Sequence, residues 1–219
     1  MKVFSSWSGG KECALATYKA ICAGHEVCCL LNFISEDGKR SRSHGVKADV
    51  LVLQAKAIGI PLIQAKTTWE DYEKNFKQIV GELKNGGIEG GVFGDIDVVE
   101  HREWVERVCS EIGIKALLPL WGRNSEELIK EFLGLKFRAL LVATRLEKEL
   151  LGRDLDLALV EQIRMLGAHP CGENGEYHTF VFDGPIFRKM IDVAKGETEK
   201  RDDVWFLEIE ASLCEREAK

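Results

Sequence analysis

The stretch that decides the fold is VFSSWSGGKECALATYKA, residues 3–20. A β-prone run gives way to Ser8-Gly9-Gly10-Lys11, and an alanine-rich helical pattern follows at once. Strand, glycine turn and helix is an arrangement that holds phosphate. Without a Cβ, glycine lets the chain turn tightly and bring backbone N–H groups close to an oxyanion. Ser8 can add a hydroxyl, and Lys11 a full charge. The helix contributes its unpaired N–H groups and its positive dipole end. The turn is not a Walker A sequence, which needs GxxxxGK and then Ser or Thr. No GxGxxG fingerprint is present either. Taken alone, SGGK also suits a plain strand–helix turn.

Outward from this stretch, short apolar runs alternate with helical patterns. Strands are predicted over 2–6, 26–34, 61–66, 91–94 and 116–119, and helices over 11–23, 46–58, 69–85, 99–112 and 125–133. Trp104, Val105, Val108, Cys109 and Ile112 make one apolar stripe at helical spacing. Gly24, Gly59, Gly86 and Gly113 each fit a left-handed position that ends a helix. Alternating strand and helix implies a parallel sheet with helices on both faces. Ligands then collect at the carboxyl ends of the strands. Ser8-Gly9-Gly10, Gly94-Asp95 and Pro119-Leu120-Trp121 should therefore meet on one edge. The last third differs: 137–146, 177–183 and 205–213 read as strands, the last with period two, and 195–203 reads as a solvated turn. A smaller α+β domain over 124–219 is expected to follow the parallel-sheet domain over 1–123.

Composition narrows the class. Of 219 residues, 45% are hydrophobic and 30% charged, as in an ordinary globular protein. The net charge of −6 argues against general nucleic-acid binding through a basic face. Seven cysteines show neither a CxxC pair nor zinc-finger spacing, so buried thiols in a reducing compartment are expected. No apolar run approaches the roughly 18 residues of a membrane span. With no signal peptide in view, a cytoplasmic location follows.

Other constellations carry two readings each. Asp95 can hold Mg²⁺ or orient a nucleophile, or merely cap the next helix. Arg102 and Glu106 form an i,i+4 pair, yet Arg102 sits where it can reach a phosphate. Trp121 can be core, or can pack on adenine or substrate beside Gly122, with Arg123 near an anionic group. Glu173, Asn174, Gly175, Glu176, Tyr177 and His178 suit a polar hairpin turn. They also offer carboxylates to an amine or ammonium and an imidazole to a proton. His44, flanked by Arg40, Arg42 and Lys47, is an exposed basic loop or a lid over a triphosphate.

SWSGGKECALA resembles the SGGKDS loop of the N-type ATP pyrophosphatases, or PP-loop enzymes, which cut ATP between its α and β phosphates and leave AMP on a substrate. FGDI (93–96), LLPLWGR (117–123), LGRDLD (151–156) and GENGEYHTFVFDGPIF (172–187) narrow the match. Together these segments resemble the diphthine–ammonia ligase family. Two departures stand out: Glu12-Cys13 replaces the usual Asp-Ser, and His178 replaces the Glu of GEYET. The His178 departure resembles a separate branch of the family, and it puts the diphthine substrate in question more than the ATP chemistry.

The resemblance implies an α/β fold of the HUP-like, adenine nucleotide alpha-hydrolase type. It implies ATP and Mg²⁺ as cofactors. ATP would meet Ser6, Ser8, Gly9, Gly10, Lys11, Glu12, Cys13, His44, Gly94 and Arg102. Lys11, Asp95 and Glu176 would be catalytic, with Asp95 also holding the metal. Trp121, Gly122, Arg123 and residues 173–178 would bind the acceptor. The reaction implied is adenylation of a carboxylate and its capture by free ammonia, since 219 residues leave no room for a glutaminase domain. The acceptor is diphthine on elongation factor 2, or a small carboxylate such as a corrinoid precursor. A regulatory nucleotide-binding module without turnover is the alternative of another class. Association into a homodimer is left open.

Overall fold

The computed structural model describes residues 1–42 and 44–215. Strands β1 (Lys2–Ser6), β2 (Glu26–Ile34), β3 (Leu62–Lys66), β4 (Gly90–Val92) and β5 (Lys115–Leu117) form a parallel sheet in the order β3-β2-β1-β4-β5. Side chains alternate along β1. Val3 packs with helices α1 (Lys11–Cys22) and α2 (Ala48–Ile58) on one face. Phe4 packs with α3 (Tyr72–Asn85) and α4 (Val99–Ile112) on the other. The chain leaves β1 toward β2 and β3, then returns to add β4 and β5 on the opposite side. The reversal lies between β1 and β4, and a crevice opens at such a point.

A second sheet is antiparallel. It joins β6 (Arg138–Thr144), β7 (Tyr177–Asp183), β8 (Met190–Arg201) and β9 (Val204–Cys214) in the order β7-β6-β9-β8. Helices α5 (Ser125–Gly134) and α6 (Leu157–Met165) accompany it. One apolar core runs through both sheets: Val3, Leu30 and Leu51 join Phe137, Leu141 and Phe180. Among the described residues, no helix is long and apolar enough to cross a membrane.

The two sheets are joined at the glycine turn. The Val181 amide of β7 donates to the Gly9 carbonyl at 2.9 Å. Gln54 of α2, fully buried, donates to the carbonyls of Gly9 (3.0 Å) and Val181 (2.6 Å). Its Oε1 accepts the Trp7 indole N–H at 2.8 Å.

Several expected elements differ from the fold. Residues 195–203 are not a turn: all but the tip belong to the β8–β9 ribbon, which reverses at Asp202-Asp203. β8 is an edge strand with only Ile191 buried, so it lacks the apolar alternation that marks a half-buried strand. Its register slips between Lys195 and Thr198. Helix α6 was not expected; the Asp156 side chain caps it, accepting from the Leu159 amide at 2.7 Å. Gly24, Gly59 and Gly113 are left-handed, but Gly86 is not, with φ −80°; Gly87 takes that role at φ +94°. Helix α3 starts at Tyr72 rather than residue 69, and β4 ends at Val92 rather than residue 94.

Gln54→Leu removes two donors and one acceptor from a dry site. The Trp7 N–H and the Val181 carbonyl would lose their partner, at about 1–3 kcal/mol each. Urea denaturation should show a loss of about 2–5 kcal/mol with an unchanged m-value; a loss below about 0.5 kcal/mol would contradict this role for Gln54.

Candidate active site

A cleft of about 840 Å³ opens at the carboxyl ends of β1, β2 and β4 and is walled on its far side by β7 and residues 171–178. Ser6, Ser8, Glu12, Cys13, His44, Gly94, Asp95, Glu173, Asn174, Gly175, Tyr177 and His178 all line it. Ser8 lines its floor; Gly9 and Gly10, expected to meet ATP directly, are absent from the lining, with Gln54 against Gly9 and the His44 ring against Gly10, and lead into α1. Gly9 has φ +86°, and a Cβ there would lie 2.6 Å from Leu51. Gly10 needs space rather than an unusual φ, because a Cβ would run into the His44 ring. The amides of Ser8 and Gly9 point at the Cys13 sulfur, the Gly10 amide donates to Ser8 Oγ at 3.4 Å and the Lys11 amide to Thr179 Oγ1 at 3.1 Å. Among the described residues, the amides left for a ligand here are those of Glu12 and Cys13 in the first turn of α1.

Lys11 is differently placed. Its Nζ is buried, donates to the Cys171 carbonyl at 2.7 Å, lies 2.6 Å from Glu12 and sits 4.3 Å over the Tyr177 ring. Burial works against its charge, but Glu12 and the neighbouring polar groups more than offset that and hold it well above the usual lysine range. The charge expected at the turn is therefore committed behind it. As the first residue of α1, Lys11 points toward the second sheet, away from the cleft.

Cys13 donates to the Gly10 carbonyl at 3.1 Å and accepts from Ser8 Oγ at 3.5 Å. Burial raises its thiol, which stays protonated and braces the turn. His44 approaches the Thr179 carbonyl through Nδ1 at 3.0 Å, so that nitrogen carries the hydrogen. Its ring stacks on His178, with centroids 4.5 Å apart and planes 25° apart. Both rings are neutral. Burial, then the neighbouring His178, holds His44 well below the usual histidine range. Burial, then the charges of Lys11 and Arg145, lowers His178 to about 4.

The opposite wall is acidic. Glu173 accepts from the Ile96 amide at 3.3 Å, and burial together with the Glu12 charge pushes it up to about 8. Asp95 lies 3.4 Å from His101 Nδ1, and that contact raises the imidazole. Gly94 is pressed against α1; a Cβ there would come within 3.0 Å of the Cys13 nitrogen.

A family model described as the diphthamide synthase N-terminal domain matches residues 1–116, and one for the diphthamide synthase C-terminal domain matches residues 124–214. The chain belongs to the diphthamide synthase family. A diphthine–ammonia ligase of Schizosaccharomyces pombe is 30% identical over 99% of this chain and 40% of its own length. The human protein of the same name is 29% identical over 90% of this chain and 84% of its own. The chain thus spans less than half of the first relative and most of the second. A solved structure described as a predicted subunit of tRNA methyltransferase, from Methanocaldococcus jannaschii, covers 84% of the chain at 15% identity, with a TM-score of 0.47.

In this member of the diphthamide synthase family, part of the expected site lies elsewhere. Glu176 does not line the cleft. Its carboxylate accepts from the amides of His169 (2.9 Å) and Asn174 (3.0 Å) and so ties the loop that presents Glu173. Burial works the other way, but these bonds hold it below the usual carboxylate range. Arg102 pairs with Glu106 at 2.7 Å and lies 5.1 Å over the Trp121 ring. Arg123 pairs with Glu131 at 2.7 Å, and the Gly122 amide donates to the Ile96 carbonyl at 2.8 Å. Arg102, Trp121, Gly122 and Arg123 form a support beside the β4 end and are absent from the cleft lining.

Other cleft residues escaped the sequence. Trp69 follows β3 and Tyr72 opens α3, whereas Arg145 and Phe206 come from the second sheet. No local motif marks Arg145 and Phe206, because only the packing of one sheet on the other brings them in. His169 shares this origin: Nε2 lies 3.1 Å from Asp97, while Nδ1 accepts from the Cys171 amide at 3.1 Å.

Two measurements test these placements. Lys11→Met leaves Glu12 without its partner and should cost about 3–5 kcal/mol in denaturant unfolding. A change under about 1 kcal/mol would mean the pair is not buried as described. For His178, the unfolded imidazole binds a proton near 6.5 and the folded one only near 4. Its contribution is therefore steady above pH 6.5 and is lost as pH falls toward 4. The stability difference between wild type and His178→Gln should shift by up to about 3 kcal/mol across that window, to the disadvantage of the wild type. A flat difference would show an imidazole that titrates normally.

Proposed function

We propose that this protein is an ATP-dependent ligase that adenylates a carboxylate and couples it to ammonia, releasing AMP and pyrophosphate. The observation that carries this reading is the juxtaposition of the unpaired Glu12 and Cys13 amides, at the start of α1, with an acidic wall across one cleft. The relatives named diphthine–ammonia ligase support the choice of reaction, and make diphthine on elongation factor 2 the favoured acceptor.

A carboxylate does not react with ammonia at neutral pH, because its leaving group is too poor. Transfer of AMP to it creates a mixed anhydride with a good one. In this reading the Glu12 and Cys13 amides at the start of α1 and the Ser8 hydroxyl hold the pyrophosphate portion of ATP. The apolar side of the cleft, with Leu31, Phe33, Tyr72 and Val98, takes the adenine. The acceptor carboxylate approaches from the side of residues 173–178, attacks the α phosphorus, and pyrophosphate leaves. Ammonia then attacks the carbonyl, giving the amide and AMP. Ammonium must first lose a proton, and Glu173, raised by burial to about 8, is the cleft carboxylate suited to take it; the His178 imidazole, lowered to about 4, is too weak a base for the part the sequence suggested. Catalysis rests on positioning and on charge stabilisation within the cleft.

The donor set suits Mg²⁺. Asp95 and Glu173 offer hard oxygen ligands, and among the described residues no group of three His, Cys, Asp or Glu side chains could hold a metal unaided. That fits an ion bound by one or two carboxylates plus phosphate oxygens and water. Asp95 would hold it, and the ion would supply neutralisation of phosphate charge.

Incubation with ATP, ammonium chloride and diphthine-bearing elongation factor 2 should give AMP and pyrophosphate in step with amide formation. ADP and inorganic phosphate would overturn AMP transfer. Tight ATP binding without products, from this acceptor or from small carboxylates, would point to the regulatory module.

A further inference from the structure

The acceptor in the reading above brings a carboxylate to the side of the cleft formed by residues 173–178. Glu12, Asp95 and Glu173 already line that cleft. A further carboxylate is repelled there unless a cation receives it. Lys11 cannot, since its Nζ is buried among Glu12, the Cys171 carbonyl and the Tyr177 ring. The His44 and His178 imidazoles are neutral, and His101 faces Asp95 at 3.4 Å. Apart from imidazoles, the cationic side chains lining the cleft among the described residues are Arg42 and Arg145.

The two belong to different sides. Arg42 follows β2, and its guanidinium lies 4.5 Å over the ring of Trp69, which follows β3. Both strands lie on the side of β1 away from β4. The 173–178 wall instead meets the end of β4, where Glu173 accepts from the Ile96 amide. Arg145 is part of that wall. Its amide donates to the Glu176 carbonyl at 2.8 Å, and Thr144 before it pairs with Tyr177 across the second sheet. Its guanidinium lies beside Gly175, where a Cβ would be 3.6 Å from Nη1 and 3.8 Å from Cζ. The nearby Glu176 does not claim it, because that carboxylate is taken by the amides of His169 and Asn174 and by the Asn174 side chain. Among the described residues Arg145 makes no ion pair, whereas Arg102, Arg107 and Arg123 each hold a carboxylate within 2.7 Å. It is exposed, charged and unpaired on the wall assigned to the acceptor.

We infer that Arg145 receives the carboxylate of the acceptor and so selects the acid over the amide that the reaction makes of it. The inference rests on the ligase reading above. A guanidinium presents paired N–H donors that match the two oxygens of a carboxylate, and it keeps its charge at every working pH. The carboxamide product is neutral and offers one oxygen in place of two. The group that holds the substrate therefore lets the product go.

The test is calorimetric titration of the full chain with diphthine-bearing elongation factor 2, with the same protein after amidation, and with Mg-ATP. Wild type should hold the acid form roughly ten- to hundredfold tighter than the amide, the worth of one charge-assisted pair. Arg145→Ala should hold both forms equally, at the level of the amide, and keep ATP within about threefold. Arg145→Lys, which keeps the charge but not the paired donors, should retain part of the preference. Arg138→Ala, at the other end of β6 and paired with Asp154 at 3.1 Å, should match wild type. No acid preference in the wild type, a preference that survives Arg145→Ala, or a variant that loses acid, amide and ATP alike would overturn the role of Arg145. The ligase reading would still stand on AMP and pyrophosphate formation by the wild type. A wild type that binds neither form of the factor and makes no AMP would overturn both.

Discussion

The Gly9 carbonyl accepts two hydrogen bonds, from the Val181 amide and from Gln54, and the rest of the structure depends on that junction. A glycine turn after a first strand is free to adopt many shapes. Here its outer face is fixed by a strand from the second sheet and by a buried amide side chain from α2. Thr179 completes the support: its hydroxyl accepts from the Lys11 amide at 3.1 Å, and its carbonyl meets His44. The inner face of the turn closes on the Cys13 sulfur and Ser8 Oγ, which leaves the Glu12 and Cys13 amides at the start of α1 for a ligand.

The same division governs charge. Lys11 and Glu12 are neighbours in sequence but act in different places. The lysine is drawn under Tyr177, and the carboxylate bridges between that buried cation and the acidic wall. Burial keeps the imidazoles of His44 and His178 neutral, so they add polar, uncharged surface beside the turn. Cys13 follows this pattern. Its thiol does not replace a hydroxyl aimed at a ligand; it ties Ser8 and Gly10 together.

Much of this was legible in the chain itself. Periodicity located β1, β2, β7 and α4 to the residue, because each carries a clean apolar signal against polar flanks. Topology placed Ser8-Gly9-Gly10, Gly94-Asp95 and Pro119-Leu120-Trp121 at one edge; of these Ser8, Gly94 and Asp95 line the cleft, together with most of residues 173–178, which the family resemblance singled out. What failed did so for physical reasons. The polar β8 is specified by its partner β9, so its own sequence reads as a loop. Arg102, Trp121 and Arg123 are absent from the cleft lining: Arg102 pairs with Glu106 and stacks on Trp121, and Arg123 pairs with Glu131. Glu173 and Glu176 are equivalent as residue types, yet the turn between them points one into the cleft and folds the other back onto amides. Arg145 carries no local signal at all, since its position depends on one sheet packing against another.

Thr179 and Val181 lie two apart on β7, so both face the glycine turn from the same side of the strand. Sliding β7 by a single position against β6 would swing both away and present Phe180 instead. Fidelity of the nucleotide cradle is therefore written into pairings made some 170 residues downstream of it. The cradle cannot be finished until the C-terminal strands have aligned, which makes ligand affinity a late and sensitive reporter of correct assembly in the distal half of the chain.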